Sequence, residues 1–247
     1  MFYEITFSPT GGTKRSADLL SDAWKERAEI DLMDRKADFA KTFTAEDICL
    51  VAVPSFAGRV PATATERLKR MQGNGAKAVA LVVYGNRAYE DTLAELEDTL
   101  KEIGFQVIGG AAVVAEHSIF REYAAERPNA EDAEQLKEWS RKLQEKAAQG
   151  GEVSLPGNRP YKPYGAIPMI PKAEICQNCG KCVSRCPVGA IPADDPRKTD
   201  AEKCITCMAC VAECPIQARA IEPALVDGAK KRLKDALEGR KENELFL

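Results

Sequence analysis

Five short runs in the first ~150 residues are rich in β-branched and other apolar residues: FYEITF, AEIDLM, DICLVAV, KAVALVVY and FQVIGGAAVVA. Three of them are nearly continuous in apolar character, the pattern of strands covered on both faces. Between the runs, apolar positions recur at helical spacing. Ala17, Leu20 and Trp24 share one face, and Leu93, Leu96, Leu100 and Ile103 share another. Ala133, Leu136, Trp139 and Leu143 mark a helix after the fifth strand. After the second strand, in DRKADFAKTFTAED, the helical period weakens. Strands alternating with helices predict a parallel α/β sheet with helices on both faces, over residues 1–150.

Beyond residue 150 the pattern changes. Residues 151–172 lie in a stretch with five of the 14 prolines and no helical period, which predicts a stiff linker or strap. Tyr161 and Tyr164 are candidates to pin it against one domain. Residues 173–222 hold the cysteines. Residues 223–247 form a tail with Val226, Ala229, Leu233 and Leu237 on one face, read as a packing helix.

Composition excludes several classes. Net charge is −3 over 247 residues, with acids and bases mixed, which lacks the basic footprint of a nucleic-acid binder. No apolar run approaches a membrane span, and no signal-peptide pattern opens the chain, so a cytoplasmic protein is expected. Cysteine is the outlier: eight of nine lie between Cys176 and Cys214. In a reducing compartment such density points to metal. Cys49, within an apolar run, reads as a small buried hydrophobe.

The cysteine region is an internal repeat. AEICQNCGKCVSRCPVGA and AEKCITCMACVAECPIQA align residue for residue, each reading C-x2-C-x2-C-x3-C-P. Two zinc sites would need only pairs of C-x2-C, with no third cysteine at that spacing. All eight cysteines and both prolines instead match the bacterial ferredoxins with two [4Fe-4S] clusters, which this segment resembles over about 50 residues. The resemblance implies crossed ligation. One cluster takes Cys176, Cys179, Cys182 and Cys214, and the other takes Cys204, Cys207, Cys210 and Cys186. Ile175, Val183, Val188, Ile191, Ile205, Val211 and Ile216 are expected to form a small core with the clusters.

At the end of the first strand stands FSPTGGTKRSA. A strand-to-helix junction is an anion site, because the first amides of the helix point outward. Gly11 and Gly12 let the backbone approach closely, and Ser8, Thr10 and Thr13 add hydroxyls. Neither a Walker A loop nor a Rossmann G-x-G-x-x-G is present. The stretch resembles the flavodoxin phosphate loop, [ST]-x-T-G-x-T. That resemblance implies a doubly wound sheet of order 2-1-3-4-5 and FMN at the carboxyl ends of its strands. The loops VPSFAGRVPA and YGNRAYED then become the flavin clasp. Phe56 and Tyr89 are the candidates to stack on the ring, and Ser55, Gly58, Gly85 and Asn86 to contact its edge. The tryptophan common in the first of these flavodoxin loops is missing here. His117, the single histidine, follows the fifth strand on the same edge.

Taken whole, the chain resembles the flavodoxin–ferredoxin fusion proteins of anaerobic bacteria. The resemblance implies an electron-transfer protein relaying electrons between two [4Fe-4S] clusters and FMN, with redox proteins as partners. The alternatives are an FMN-dependent reductase of a quinone or nitro compound, and a flavin-free docking module. No nicotinamide fingerprint appears in the sequence.

Overall fold

The computed structural model describes residues 1–165 and 168–247. Its first part runs β1 (Phe2–Thr6), α1 (Gly12–Leu20), β2 (Arg27–Asp31), β3 (Ile48–Pro54), α2 (Ala62–Leu68), β4 (Lys77–Tyr84), α3 (Thr92–Glu102), β5 (Gln106–Val114) and α4 (Ala130–Gln149). The second part adds β6 (Lys172–Ala173), α5 (Lys181–Arg185), α6 (Ala209–Ala212), β7 (Arg219–Ala220), α7 (Pro223–Leu237) and β8 (Glu244–Phe246). The main sheet has the order β2-β1-β3-β4-β5-β8. The first five strands are parallel, in the doubly wound flavodoxin-like order 2-1-3-4-5.

Side-chain alternation along the central strands builds two cores. Cys49, Val51 and Val53 of β3 join Ala80 and Val82 of β4 beneath Ala64, Leu93 and Leu96 of α2 and α3. Leu50, Ala52, Leu81 and Val83 face the other way, against Ala17 and Leu20 of α1 and Leu136 and Trp139 of α4. Burying strands on both faces is why their sequences read as apolar runs rather than as alternation. Cys49 is fully buried, and burial pushes its thiol well above the ordinary range. Between β2 and β3 the chain forms turns that bury Met33, Phe39 and Phe43. That loop accounts for the faded period after the second strand.

The tail differs from a plain packing helix over 223–247. α7 ends at Leu237, and β8 then pairs antiparallel with β5, adding a sixth strand. Two buried polar anchors hold this return. Asn86 donates from Nδ2 to the carbonyls of Leu237 (2.6 Å) and Gly239 (2.8 Å). Asn243 accepts from the amide of Val114 (2.9 Å) and joins Arg127 and Asp132 in a buried cluster. A short polar tail with one apolar pair carries little strand signal, so the pairing was hidden until β5 was in place.

The proline-rich segment is a strap along α3. Leu155 is buried against Gly110 of β5, where a Cβ would lie 2.7 Å from its side chain. The glycine pair of β5 thus marks a close approach. Asp91 accepts from the amides of Asn158 (2.8 Å) and Lys162 (2.7 Å), and Arg159 and Tyr161 bind Asp98.

The cysteine region forms its own small core of Ile191, Ala190 and the cysteines, with Val183, Val188 and Val211 at its edge. Ile175 and Ile216, expected there, are exposed at 69% and 39%, and Ile216 lines the Cys176–Cys214 site. Ile205 instead packs against the larger core, together with Cys207 and Ala209. The reason is docking: one face of this region lies on the flavodoxin-like domain. Among the described residues no helix is long and apolar enough to cross a membrane.

Candidate functional site

The loop after β1 closes on itself. Ser8 Oγ accepts from the amide of Lys14 (2.9 Å), leaving the hydroxyl of Thr10 free of that role. Gly11 caps α1 with φ +91°, a conformation that favours glycine, and no side chain caps the helix. The amides of Gly12 and Thr13, in the first turn, have no acceptor within the helix. Lys14 turns away, pairing with Glu4 (2.9 Å), Asp18 (2.6 Å) and Glu29 (3.1 Å). An anion at this loop would therefore meet amides and hydroxyls, with Lys14 engaged elsewhere.

Thr10, Gly12 and Thr13 line a cavity of about 270 Å³ at the carboxyl ends of the strands. That is just below the roughly 300–1,000 Å³ of common ligand pockets. Its walls come from four loops and the strap, and its far side from Ile205, Thr206 and Cys207 of the cysteine region. Ser55, Phe56 and Gly85 are on the wall. Ser55 also shares a hydrogen bond with Thr92 Oγ1 (2.8 Å), which fixes its hydroxyl.

Five expected contacts are not on this wall: Ser8, whose hydroxyl is taken by Lys14, Gly11, which caps α1, and Gly58, Asn86 and Tyr89. Asn86 is buried and committed to the C-terminal return. Tyr89 packs edge-on against Tyr84, with ring centroids 5.4 Å apart, and bonds Glu244. Gly58 lies against Glu90, where a Cβ would come within 2.9 Å of that side chain. The β4 loop turns toward β8 in this chain, and it carries Asn86 and Tyr89 with it.

His117 is on the wall. Its Nδ1 accepts the amides of Ile119 and Phe120, both at 3.1 Å, so the ring proton is assigned to Nε2. Burial, with the Arg87 charge added, pulls its pKa down to about 4, which leaves it a neutral donor near pH 7. Arg87 and Lys162 also line the cavity. Both pair with Glu90, at 2.8 and 2.6 Å. Neither cation stood out in the sequence, because each becomes a wall residue only when the strap crosses the β4 loop.

The cysteines gather as two quartets. Cys176, Cys179 and Cys182 surround one small cavity together with Cys214. Cys204, Cys207 and Cys210 surround another with Cys186. The backbone repeats as the sequence does. Asn178, Gly180 and Gly189 have positive φ, and so do Thr206, Met208 and Gln217 at the matching places. Amides of Ala190 and Ala218 donate to Cys186 and Cys214 Sγ, both at 3.2 Å.

This donor set fits iron–sulfur clusters better than single ions. Among the described residues no three cysteine sulfurs lie within 4.8 Å of one another. A tetrahedral zinc with bonds of about 2.3 Å would bring its sulfurs to about 3.8 Å. Burial pushes the Cys207 thiol up to about 12 and Cys210 to about 11. Such thiols ionise only beside a strong positive charge, as bound metal supplies.

Comparison with known proteins agrees with this division. Residues 168–215 match the family described as 4Fe-4S dicluster domain. No curated protein matches the chain. Among solved structures, oxidised flavodoxin 1 from Bacillus cereus is 19% identical, with a TM-score of 0.41, over 58% of this chain and 97% of that one. The flavodoxin of Streptococcus pneumoniae TIGR4 is 21% identical, with a TM-score of 0.42, over 59% and 99%. Rubredoxin oxygen:oxidoreductase from the anaerobe Desulfovibrio gigas is 15% identical, with a TM-score of 0.37, over 60% and 36%. The strand order, rather than these scores, defines the fold. The chain joins a flavodoxin-like α/β domain to a 4Fe-4S ferredoxin domain, the combination of an electron-transfer protein.

Proposed function

We propose that this protein relays electrons within one chain, between two [4Fe-4S] clusters and FMN. The observation that carries the reading is that Cys207 lines the same cavity as Thr10 and Thr13. Cys176, Cys179, Cys182 and Cys214 would hold one cluster, and Cys204, Cys207, Cys210 and Cys186 the other. When bound, FMN would supply a carrier of one or two electrons and the clusters a one-electron relay.

The chain's own residues have separable tasks. Thr10 and the amides of Gly12 and Thr13 would bind the FMN phosphate. Phe56 offers an apolar wall to the ring, and His117 a neutral N–H. The domains are held together by specific contacts. Arg185 donates to the carbonyl of Ser8 (2.8 Å), within the phosphate loop itself, and lies 3.5 Å from Asp31. Arg67 donates to the carbonyl of Pro187 (2.6 Å). Ile205, Thr206 and Cys207 of the cysteine region wall the cavity, which supports a relay over a small-acceptor reductase. Redox proteins are the partners this reading requires.

FMN titration of the anaerobically purified protein tests the cofactor. Thr10→Val removes one hydroxyl donor to a charged group, worth about 1.5–3 kcal/mol. Affinity should fall roughly ten- to a hundredfold, with the iron content unchanged. Unchanged affinity in both Thr10→Val and Thr13→Val would move the phosphate away from this loop.

A further inference from the structure

Arg219 in β7 is 2% exposed, the largest fully buried side chain of the molecule. Its hydrogen-bond partners among the described residues are all neutral. Nη1 donates to Thr199 Oγ1 (2.8 Å), and Nη2 donates to the carbonyls of Lys198 (3.0 Å) and Pro196. Its Nε–H is buried with no partner. The side chain lines the cavity enclosed by Cys176, Cys179, Cys182 and Cys214.

A buried guanidinium without a carboxylate is costly, because neutral dipoles replace only part of its hydration. Something anionic has to offset the charge. The sulfurs of the cavity it lines are the candidates.

We propose that Arg219 is the counter-cation of the cluster held by Cys176, Cys179, Cys182 and Cys214, giving its free Nε–H to that site and raising that cluster's reduction potential above its neighbour's. The inference rests on the two-cluster reading above. A thiolate-ligated cluster is anionic, and reduction adds one electron and one more negative charge. No bond or proton is exchanged, and Arg219 stays charged throughout. A fixed cation in a dry site favours the more negative state, so the reduced form gains. The favoured cluster is the one away from the FMN cavity, since Cys207 belongs to the other quartet. Electrons would rest on the outer cluster and reach FMN through the less favoured inner one.

The test uses the full chain, purified anaerobically and reduced. Protein grown with arginine labelled at Nε with nitrogen-15 should show coupling to that nucleus on one cluster signal in pulsed electron paramagnetic resonance. Potentiometric titration should show Arg219→Gln lowering one cluster's midpoint by a tenfold or larger change in the one-electron equilibrium, 59 mV per decade. Arg219→Lys should recover part of it and lose the coupling. Should a variant fail to assemble, the labelled wild-type protein decides alone. Cluster signals without nitrogen coupling, or an Arg219→Gln protein with unshifted potentials, would make Arg219 a structural strut and overturn the proposal. Protein that takes up no iron or sulfide would overturn the cluster reading beneath it.

Discussion

Cys186→Ala is expected to cost the protein about half its iron, and the half lost belongs to the second repeat. The intact chain should carry about eight irons, two four-iron clusters, and the variant about four. Cys186 follows α5 in the first repeat but lines the cavity of Cys204, Cys207 and Cys210. Double variants read the crossing directly. Cys186→Ala with Cys204→Ala strikes one site twice, so iron should fall no further than in Cys186→Ala alone. Cys186→Ala with Cys176→Ala strikes both sites and should leave almost none. Independent sites add and shared sites do not. The reverse pattern would mean that each repeat holds its own cluster. On the proposed relay, Cys186→Ala should also slow flavin reduction, because Cys207 of that quartet lines the cavity proposed for FMN.

The second large effect is on stability. Asp132 is 1% exposed and serves two structures at once. It pairs with Arg127, Nε donating to Oδ2 at 2.9 Å and Nη2 to Oδ1 at 2.5 Å. It also closes the capping box of α4 with Asn129. Arg127 in turn donates to the carbonyl of Lys241 (2.6 Å), and Asn243 donates to Asp132 (2.9 Å), so the cluster pins the returning tail. Asp132→Ala leaves a buried guanidinium unpaired, at a cost of about 3–5 kcal/mol. For a chain of this size that lowers the melting temperature by roughly 6–20 °C, read by circular dichroism. Burial alone would raise the Asp132 pKa, but Arg127, Asn129 and Asn243 outweigh it and hold the carboxyl below the usual range. Its contribution is therefore present above the unfolded-chain value of about 3.9 and is lost as the pH falls through the lower folded one. Asp132→Ala should flatten that acid limb. A melting temperature within a degree or two of wild type would show that the cluster does not carry this load.

How much of this was readable in the sequence depends on how local each signal is. The five parallel strands were legible because burial on both faces leaves a continuous apolar run. The gathering of the cysteines into two quartets was legible through the resemblance that the repeated C-x2-C-x2-C-x3-C-P carries, a repeat that extends to the positive φ of Gly180 and Met208. The β1–α1 loop was legible because a single turn carries its glycines and hydroxyls. The flavin clasp was only partly so: Phe56 and Gly85 reach the cavity, while Asn86, Tyr89 and Gly58 do not. Asn86 and Tyr89 are claimed by the C-terminal tail, more than 150 residues away in the chain. No motif at Asn86 announces a partner at Leu237 or Gly239. Arg219 was hidden for the same reason, since a lone arginine after Cys214 signals burial only once Pro196, Lys198 and Thr199 have folded round it.

The most direct measurement is anaerobic stopped-flow reduction by a donor specific for the clusters, following the flavin bands over a range of protein concentrations. The place of Cys207 on the wall of the cavity proposed for FMN, with the contacts of Arg185 and Arg67, predicts flavin reduction at a rate independent of protein concentration. A rate proportional to protein concentration would place the transfer between molecules and contradict transfer within the chain.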